Sequence, residues 1–260
     1  MSASVLAPRP LPRDRGAMLI PSGRHTEADL SQWSALEQSD MLYARVHSRR
    51  IQRLTEESEN QIRIFLSAGP AVCGVSWGKD SVLLAWMARR IDPSMQFVRF
   101  RSPEDKYPHD DDVRDYFLSK WPIRYEEVVV EWPQRGRADW AKREALATAR
   151  FGTSRRMTGL RAEESASRRV SFAAHGISTD ISCRPLGHWM TPDVFAVLAT
   201  EQLPVHPSYA MTGGGRWDRN RLRVSGLGGS PGEGHGRALW EQEYYGDMLR
   251  RLAASKRRSS

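Results

Sequence analysis

The chain has 260 residues, 40% of them apolar, and carries 39 Lys and Arg against 31 Asp and Glu, a net charge of +8. That length is enough for one sizeable α/β core with an appendage. It holds no apolar run of about eighteen residues and no apolar leader, so neither a membrane span nor a secretory signal is expected, and a cytoplasmic location is. Cys73 and Cys183 are the only cysteines and form no Cys-x-x-Cys pair, so a disulfide framework, a zinc site and an iron–sulfur cluster are not expected. The positive balance suits an anionic ligand or nucleic acid.

Residues 1–30 are rich in Pro, Arg and Ser, lack periodicity, and read as a mobile N-terminal arm. Over 31–68, Trp33, Leu36, Met41, Tyr43, Val46, Ile51, Leu54, Ile62 and Phe65 recur at helical spacing, which predicts one or two helices ahead of a sheet. A first strand follows from Ala71. Ser76, Trp77, Gly78, Lys79, Asp80 and Ser81 then make a turn, and Val82, Leu83, Ala85 and Trp86 open a helix that stops before Asp92-Pro93.

Further strands are predicted at Met95–Phe100, Arg124–Val130, Met157–Leu160 and Ile181–Arg184, with helices between them. Asp110, Asp111 and Asp112 open one of those helices and read as a dipole-compensating cap rather than a metal site. Thr191-Pro192 reads as a threonine cap followed by proline at the first helical position. This alternation predicts an α/β fold: a doubly wound, mainly parallel five-stranded sheet over 69–212, with helices on both faces. Residues 213–260 form a separate stretch: a Gly- and Arg-rich segment with Arg216, Arg219, Arg221 and Arg223, a closing helix with Trp240, Tyr244 and Tyr245, and a basic tail, Lys256 to Arg258.

The turn at 76–81 carries the chemistry. A helix start leaves backbone N–H groups without partners and gathers partial positive charge, so its natural occupant is an anion. Lys79 adds a full charge, Ser76 and Ser81 add hydroxyls, and Gly78 permits close approach. The spacing is not that of a Walker loop, because Cys73 stands where its first glycine belongs. Further along, Arg161 follows a strand, with Glu163, Glu164 and Arg168 on the next turns. An arginine so placed can grip a phosphate bidentately or pair with its own glutamates on a solvated helix face.

The segment SWGKDS resembles the SGGxDS signature of the PP-loop ATP pyrophosphatases. GLRAEESASRR, from Gly159 to Arg169, and CRPLGHWMTPDVFAVLATEQLPVHPSY, from Cys183 to Tyr209, resemble segments of the phosphoadenylylsulfate (PAPS) reductase branch of that superfamily. The resemblance covers Ala71 to Tyr209 and implies an adenine nucleotide alpha hydrolase-like fold. It also implies ATP cleavage between the α and β phosphates, with Mg²⁺ as companion ion. By carry-over, Ser76, Trp77, Gly78, Lys79, Asp80, Ser81 and Arg161 hold the nucleotide, Lys79, Asp80, Arg161 and Arg168 act in catalysis, and Asp80 helps hold the metal. Trp77 replaces a glycine of the signature, and a positive φ there would make the tryptophan costly.

The chain departs from the branch at its end. The reductases carry a nucleophilic cysteine in a Glu-Cys-Gly-[LI]-His motif, and no cysteine follows Cys183 here. A thiolate has no substitute in Tyr or Gly, so the resemblance implies an adenylating enzyme more than a sulfonucleotide reductase, which would need an external thiol. Three readings follow: transfer of adenylate to an acceptor, in nucleic acid or sulfur metabolism; the reductase with a partner protein; and a non-catalytic module binding nucleotide or nucleic acid through the basic segment and tail. Membrane attachment is not expected, and a homo-oligomer is compatible with all three.

Overall fold

The computed structural model describes residues 16–101, 107–130, 137–224, 226–228 and 236–258. The arm over residues 1–15 and the glycine-rich stretch 229–235 lie outside the described residues, as do the side chains of Lys256, Arg257 and Arg258.

Residues 16–30 are not a mobile arm. Strand β1 (Met18–Leu19) pairs in parallel with the late strand β7 (Pro204–Val205), Ala17 and Ile20 are buried, and Arg24 makes a two-pronged ion pair with Asp247. Two residues are too few to display the period-2 alternation that marks a strand, and their partners lie far along the chain. Helix α1 (Glu27–Val46) starts from a capping box between Thr26 and Asp29, and α2 (Ser48–Ser67) follows after His47 alone.

The main sheet runs β4 (Arg124–Val129), β3 (Gln96–Arg101), β2 (Val72–Gly74), β5 (Arg156–Met157), β6 (Ser182–Cys183), all parallel. The chain starts at the centre, winds out to β4, then returns to fill the other side, so the doubly wound five-stranded sheet expected from the alternation is present. Side chains alternate between the faces. Val72, Val98 and Val128 meet Leu146 and Phe151 of α5 (Arg137–Phe151) on one face. Cys73 and Phe97 join the larger core on the other, with α2, α3 (Lys79–Ile91), α4 (Asp110–Lys120) and α7 (Thr191–Thr200). Helix α6 (Ala166–His175) connects β5 to β6. Among the described residues, no helix is long and apolar enough to cross a membrane.

One boundary differs from the sequence reading. Thr191 is the first helical residue of α7, not its cap; Met190 takes that place and its N–H donates to Asp193 at 2.8 Å. Asp110, Asp111 and Asp112 do fall in the first turn of α4, with Asp110 buried against Arg99. The closing helix α8 (Arg237–Arg258) is bent at Tyr245. Residues 213–224 of the Gly/Arg-rich segment are folded onto the rest: Arg219 grips Asp40 of α1 with two bonds of 2.8 and 2.7 Å, both partners buried, and Arg216 pairs with Glu243.

Candidate phosphate-loop site

In a doubly wound sheet the crevice lies where the strand order reverses, outside the carboxyl ends of the strands. Here that point falls between β2 and β5, and the turn at 76–81 follows β2 directly. The two strand exits touch: a Cβ on Gly159, just after β5, would sit 2.9 Å from the backbone carbonyl of Asp80, so only glycine fits.

The turn is tied by Ser81, whose hydroxyl donates to Gly78 O at 3.0 Å and accepts from the Ser76 N–H at 3.1 Å. Gly78 caps α3 in an ordinary extended conformation. The left-handed residue is its neighbour, Trp77, at φ 61°. The Trp77 side chain points away from the crevice into the core, fully buried, its ring centroid 5.1 Å from Tyr125 and 5.7 Å from Phe117. Its Nε1 donates to the Tyr125 hydroxyl at 3.3 Å, so only its backbone remains for a ligand.

Lys79 and Asp80 open α3. Lys79 is 4% exposed; its Nζ donates to Asp80 Oδ2 at 2.8 Å and lies over the ring of Tyr209. The Tyr209 hydroxyl in turn meets the Lys79 N–H at 3.4 Å. Arg161 Nε donates to Asp80 Oδ1 at 2.7 Å. Burial by itself would push the Asp80 carboxyl up, but Lys79 and Arg161 outweigh it and hold the group below the usual carboxylate range.

Arg161 is the most committed residue of the site. Besides Asp80 it binds Glu163, Trp189 O and the Thr191 hydroxyl, and it is 1% exposed. Four of its five N–H donors are thereby spent inside the protein. It positions Asp80, while the phosphate-gripping fork expected from its place after a strand is largely occupied. Arg168, on α6, donates to Glu164 and keeps other donors. Burial, with Arg223 and Arg161 nearby, lowers its guanidinium below the ordinary value.

A cavity of about 230 Å³ opens beside the turn, lined by the apolar Val72, Val98, Phe100 and Ala147, by the charged Arg143, Glu144 and Arg156, and by Ser76 and Gly159. Both cysteines are buried. Burial raises the Cys73 thiol well above its ordinary range and Cys183 to about 11, so neither is a thiolate near neutrality.

A second polar cluster, unforeseen in the sequence, lies across the His206–Tyr209 turn. His206 is fully buried; its Nδ1 accepts from the Ser208 N–H at 3.1 Å and its Nε2 faces Pro108 O at 2.7 Å, which assigns the proton to Nε2. Burial, with His109 and Arg99 adding to it, lowers His206 to about 3 from 6.5. Asp110 Oδ1 stands 3.7 Å away, and burial, against the pull of Arg99, raises that carboxyl from 3.8 to about 7.

The two groups act oppositely on stability. Unfolded, His206 takes a proton below 6.5; folded, it does not until about 3, so stability falls as pH drops through that window. Asp110 keeps its proton to about 7 when folded and loses it above 3.8 when unfolded, so stability falls as pH rises. Between pH 4 and 6.5 these slopes offset each other. Relative to wild type, His206→Gln is expected to lose stability with rising pH, and Asp110→Asn to gain it, each by about 1.4 kcal/mol per pH unit. Urea midpoints across pH 4–6.5 check this, and variants running parallel to wild type would refute it.

No protein-family model matches the chain, and no curated protein matches it. Among solved structures, it is similar to an NH₃-dependent NAD synthetase from Campylobacter jejuni (13% identity, 56% of this chain and 71% of that one, TM-score 0.40). It is similar also to a U34-tRNA thiolase from Methanococcus maripaludis, solved with its [4Fe-4S] cluster (12%, 80% and 79%, TM-score 0.38). A third is a phosphoadenylyl-sulfate reductase from Candida auris, in a phosphate complex (15%, 56% and 82%, TM-score 0.39).

Proposed function

We propose that this chain binds ATP with its phosphates at the start of α3 and cleaves it between the α and β phosphates, passing the adenylate to an acceptor and releasing pyrophosphate. The observation that carries this reading is the turn at the sheet's switch point, with the helix start, Lys79 and the Asp80–Arg161 pair meeting Gly159 from the neighbouring strand.

The chemistry asks for position and charge neutralisation rather than a protein nucleophile. The acceptor's nucleophilic atom forms a bond to the α-phosphorus as the bond from that phosphorus to the bridging oxygen breaks, and pyrophosphate leaves with the electron pair. Helix N–H groups and Lys79 face the charge that accumulates on the leaving group. The cavity that Ser76 and Gly159 help line carries the apolar Val72, Val98, Phe100 and Ala147 and suits a purine base. Magnesium fits as an ion carried by the phosphates: both Asp80 oxygens already receive a cationic donor, each keeps a lone pair, and such an ion needs only one or two carboxylates from the protein. When bound, it would neutralise phosphate charge, with Asp80 as its contact. Two raised thiols give no support to thiol-dependent reduction by this chain alone.

The test is to incubate the chain with Mg²⁺, ATP and candidate acceptors and identify the products. AMP or an adenylated acceptor together with pyrophosphate, both abolished by Lys79→Ala, is the expected result. Cleavage to ADP and phosphate, or failure to bind ATP, would overturn it.

A further inference from the structure

Two guanidinium groups beside the loop, Arg168 and Arg223, still have donors to offer. Arg223 lies beyond Tyr209, in the Gly/Arg-rich segment outside every motif match. Its Nη2 donates to the backbone carbonyl of Glu164 at 2.7 Å, while Arg168 Nη1 donates to the carboxylate of the same residue. Each arginine thus spends one N–H of five on Glu164 in these contacts. The Glu164 carboxylate is shared further, with the Arg161 N–H at 2.9 Å. Two guanidinium groups therefore converge on one residue, Arg168 on its carboxylate and Arg223 on its carbonyl, and Arg161 close by is committed elsewhere.

The segment that carries Arg223 is held as a strap. Arg219 anchors its start through the buried pair with Asp40. Arg237 donates to Arg223 O at 2.5 Å, and the Gly228 N–H reaches Glu241 at 3.0 Å. Between these ties, Val224 lies 3.7 Å from where a Cβ on Gly78 would stand, so the strap crosses the phosphate loop itself. Arg223 is exposed, but its backbone carbonyl is held by Arg237 and the chain just before it by the Arg219–Asp40 pair. That pre-placement reduces the ordering cost of gripping a ligand.

We propose that Arg168 and Arg223 form a two-guanidinium anion site that holds the β and γ phosphates of the nucleotide and, after cleavage, the pyrophosphate. This rests on the ATP reading above. The strap meets the loop at Gly78, where α3 begins and where the ATP reading puts the phosphates. Arg168 pairs with the Glu164 carboxylate while Arg223 meets a carbonyl there, so positive charge is left for a multiply charged anion to neutralise, and a planar fork binds phosphate oxygens in pairs. Burial and the neighbouring Arg223 both lower the Arg168 guanidinium, a charge stress that a bound anion would relieve.

Calorimetric titration with inorganic pyrophosphate and with AMP, both in Mg²⁺, tests the site in wild type, Arg223→Ala, Arg223→Lys and Arg168→Ala. Each alanine variant is expected to weaken pyrophosphate about tenfold or more while AMP changes less than about twofold. Arg223→Lys, which keeps the charge and a donor for Glu164, should fall between, and it supplies the readout if alanine loosens the strap. Unchanged pyrophosphate affinity, or equal losses for pyrophosphate and AMP, would overturn the site alone. A wild-type chain that binds neither ATP nor pyrophosphate overturns the ATP reading and this site with it.

Discussion

Replacing Asp80 by alanine is expected to destabilise the fold by about 3–5 kcal/mol and to abolish ATP cleavage. Asp80 is the one carboxylate between two cations: Lys79, 4% exposed, at 2.8 Å, and Arg161, 1% exposed, at 2.7 Å. Removing it strands the Lys79 charge in a poorly solvated place and leaves Arg161 with Glu163 as its carboxylate, and an unpaired buried charge is far more costly than the pair is favourable. Asp80→Asn separates the contributions, because the amide keeps the volume and one acceptor oxygen but carries no charge. Its loss should be smaller than that of alanine. If the cations are the cause, adding Lys79→Met to Asp80→Ala should restore part of the stability while activity stays absent. Since the folded carboxyl lies below its ordinary value, its contribution is present above 3.8 and is lost as the pH falls further, so the wild-type advantage should shrink in acid. Denaturant midpoints at neutral pH and near pH 3 report both effects. An Asp80→Ala chain that unfolds at the wild-type midpoint would sink the account.

How far this site was legible in the sequence depends on whether its interactions are local. The strand, turn and helix of Ala71 to Trp86 are coded within sixteen residues by an apolar run, a set of turn formers and a helical period, and they stand as read. The five parallel strands were visible for the same reason. Arg161 shows the limit. Its place after a strand identified a guanidinium at the crevice, but spacing is silent on where a five-donor fork spends its bonds, and Asp80, Glu163 and Thr191 take most of them. The Arg219–Asp40 pair joins residues 179 apart, and β1 finds β7 across a similar distance. Such contacts leave no periodic trace. The row of arginines at 216–223 therefore read as a segment contacting a phosphate backbone or as a plain surface loop, whereas Arg216 and Arg219 are turned to Glu243 and Asp40 and Arg223 reaches Glu164.

Trp77 sets two physical effects against each other, and their sizes decide the outcome. At φ 61° its backbone is left-handed, which costs a residue with a Cβ about 1–2 kcal/mol and glycine almost nothing. Its indole is fully buried between Phe117 and Tyr125 and donates to the Tyr125 hydroxyl. Truncating a packed aromatic of this size costs about 3–5 kcal/mol. Packing is the larger effect, so the tryptophan persists in a conformation that sterics disfavour. Trp77→Gly should relieve the backbone yet still lose about 2–4 kcal/mol net. Trp77→Ala keeps the strain and loses the packing, so it should fall about 1 kcal/mol below Trp77→Gly, reversing the usual order in which alanine is the more stable choice. Trp77→Phe retains most of the ring contact and loses the bond to Tyr125, for a decrease of about 1 kcal/mol. Urea titration of the four chains gives the ranking. A glycine variant as stable as wild type would mean that the indole contributes no more than the strain it offsets, and an alanine variant above glycine would mean that the turn relaxes out of the left-handed region once the ring is gone. In the second case the loop owes its shape to Trp77, and phosphate affinity should fall in both small variants alike.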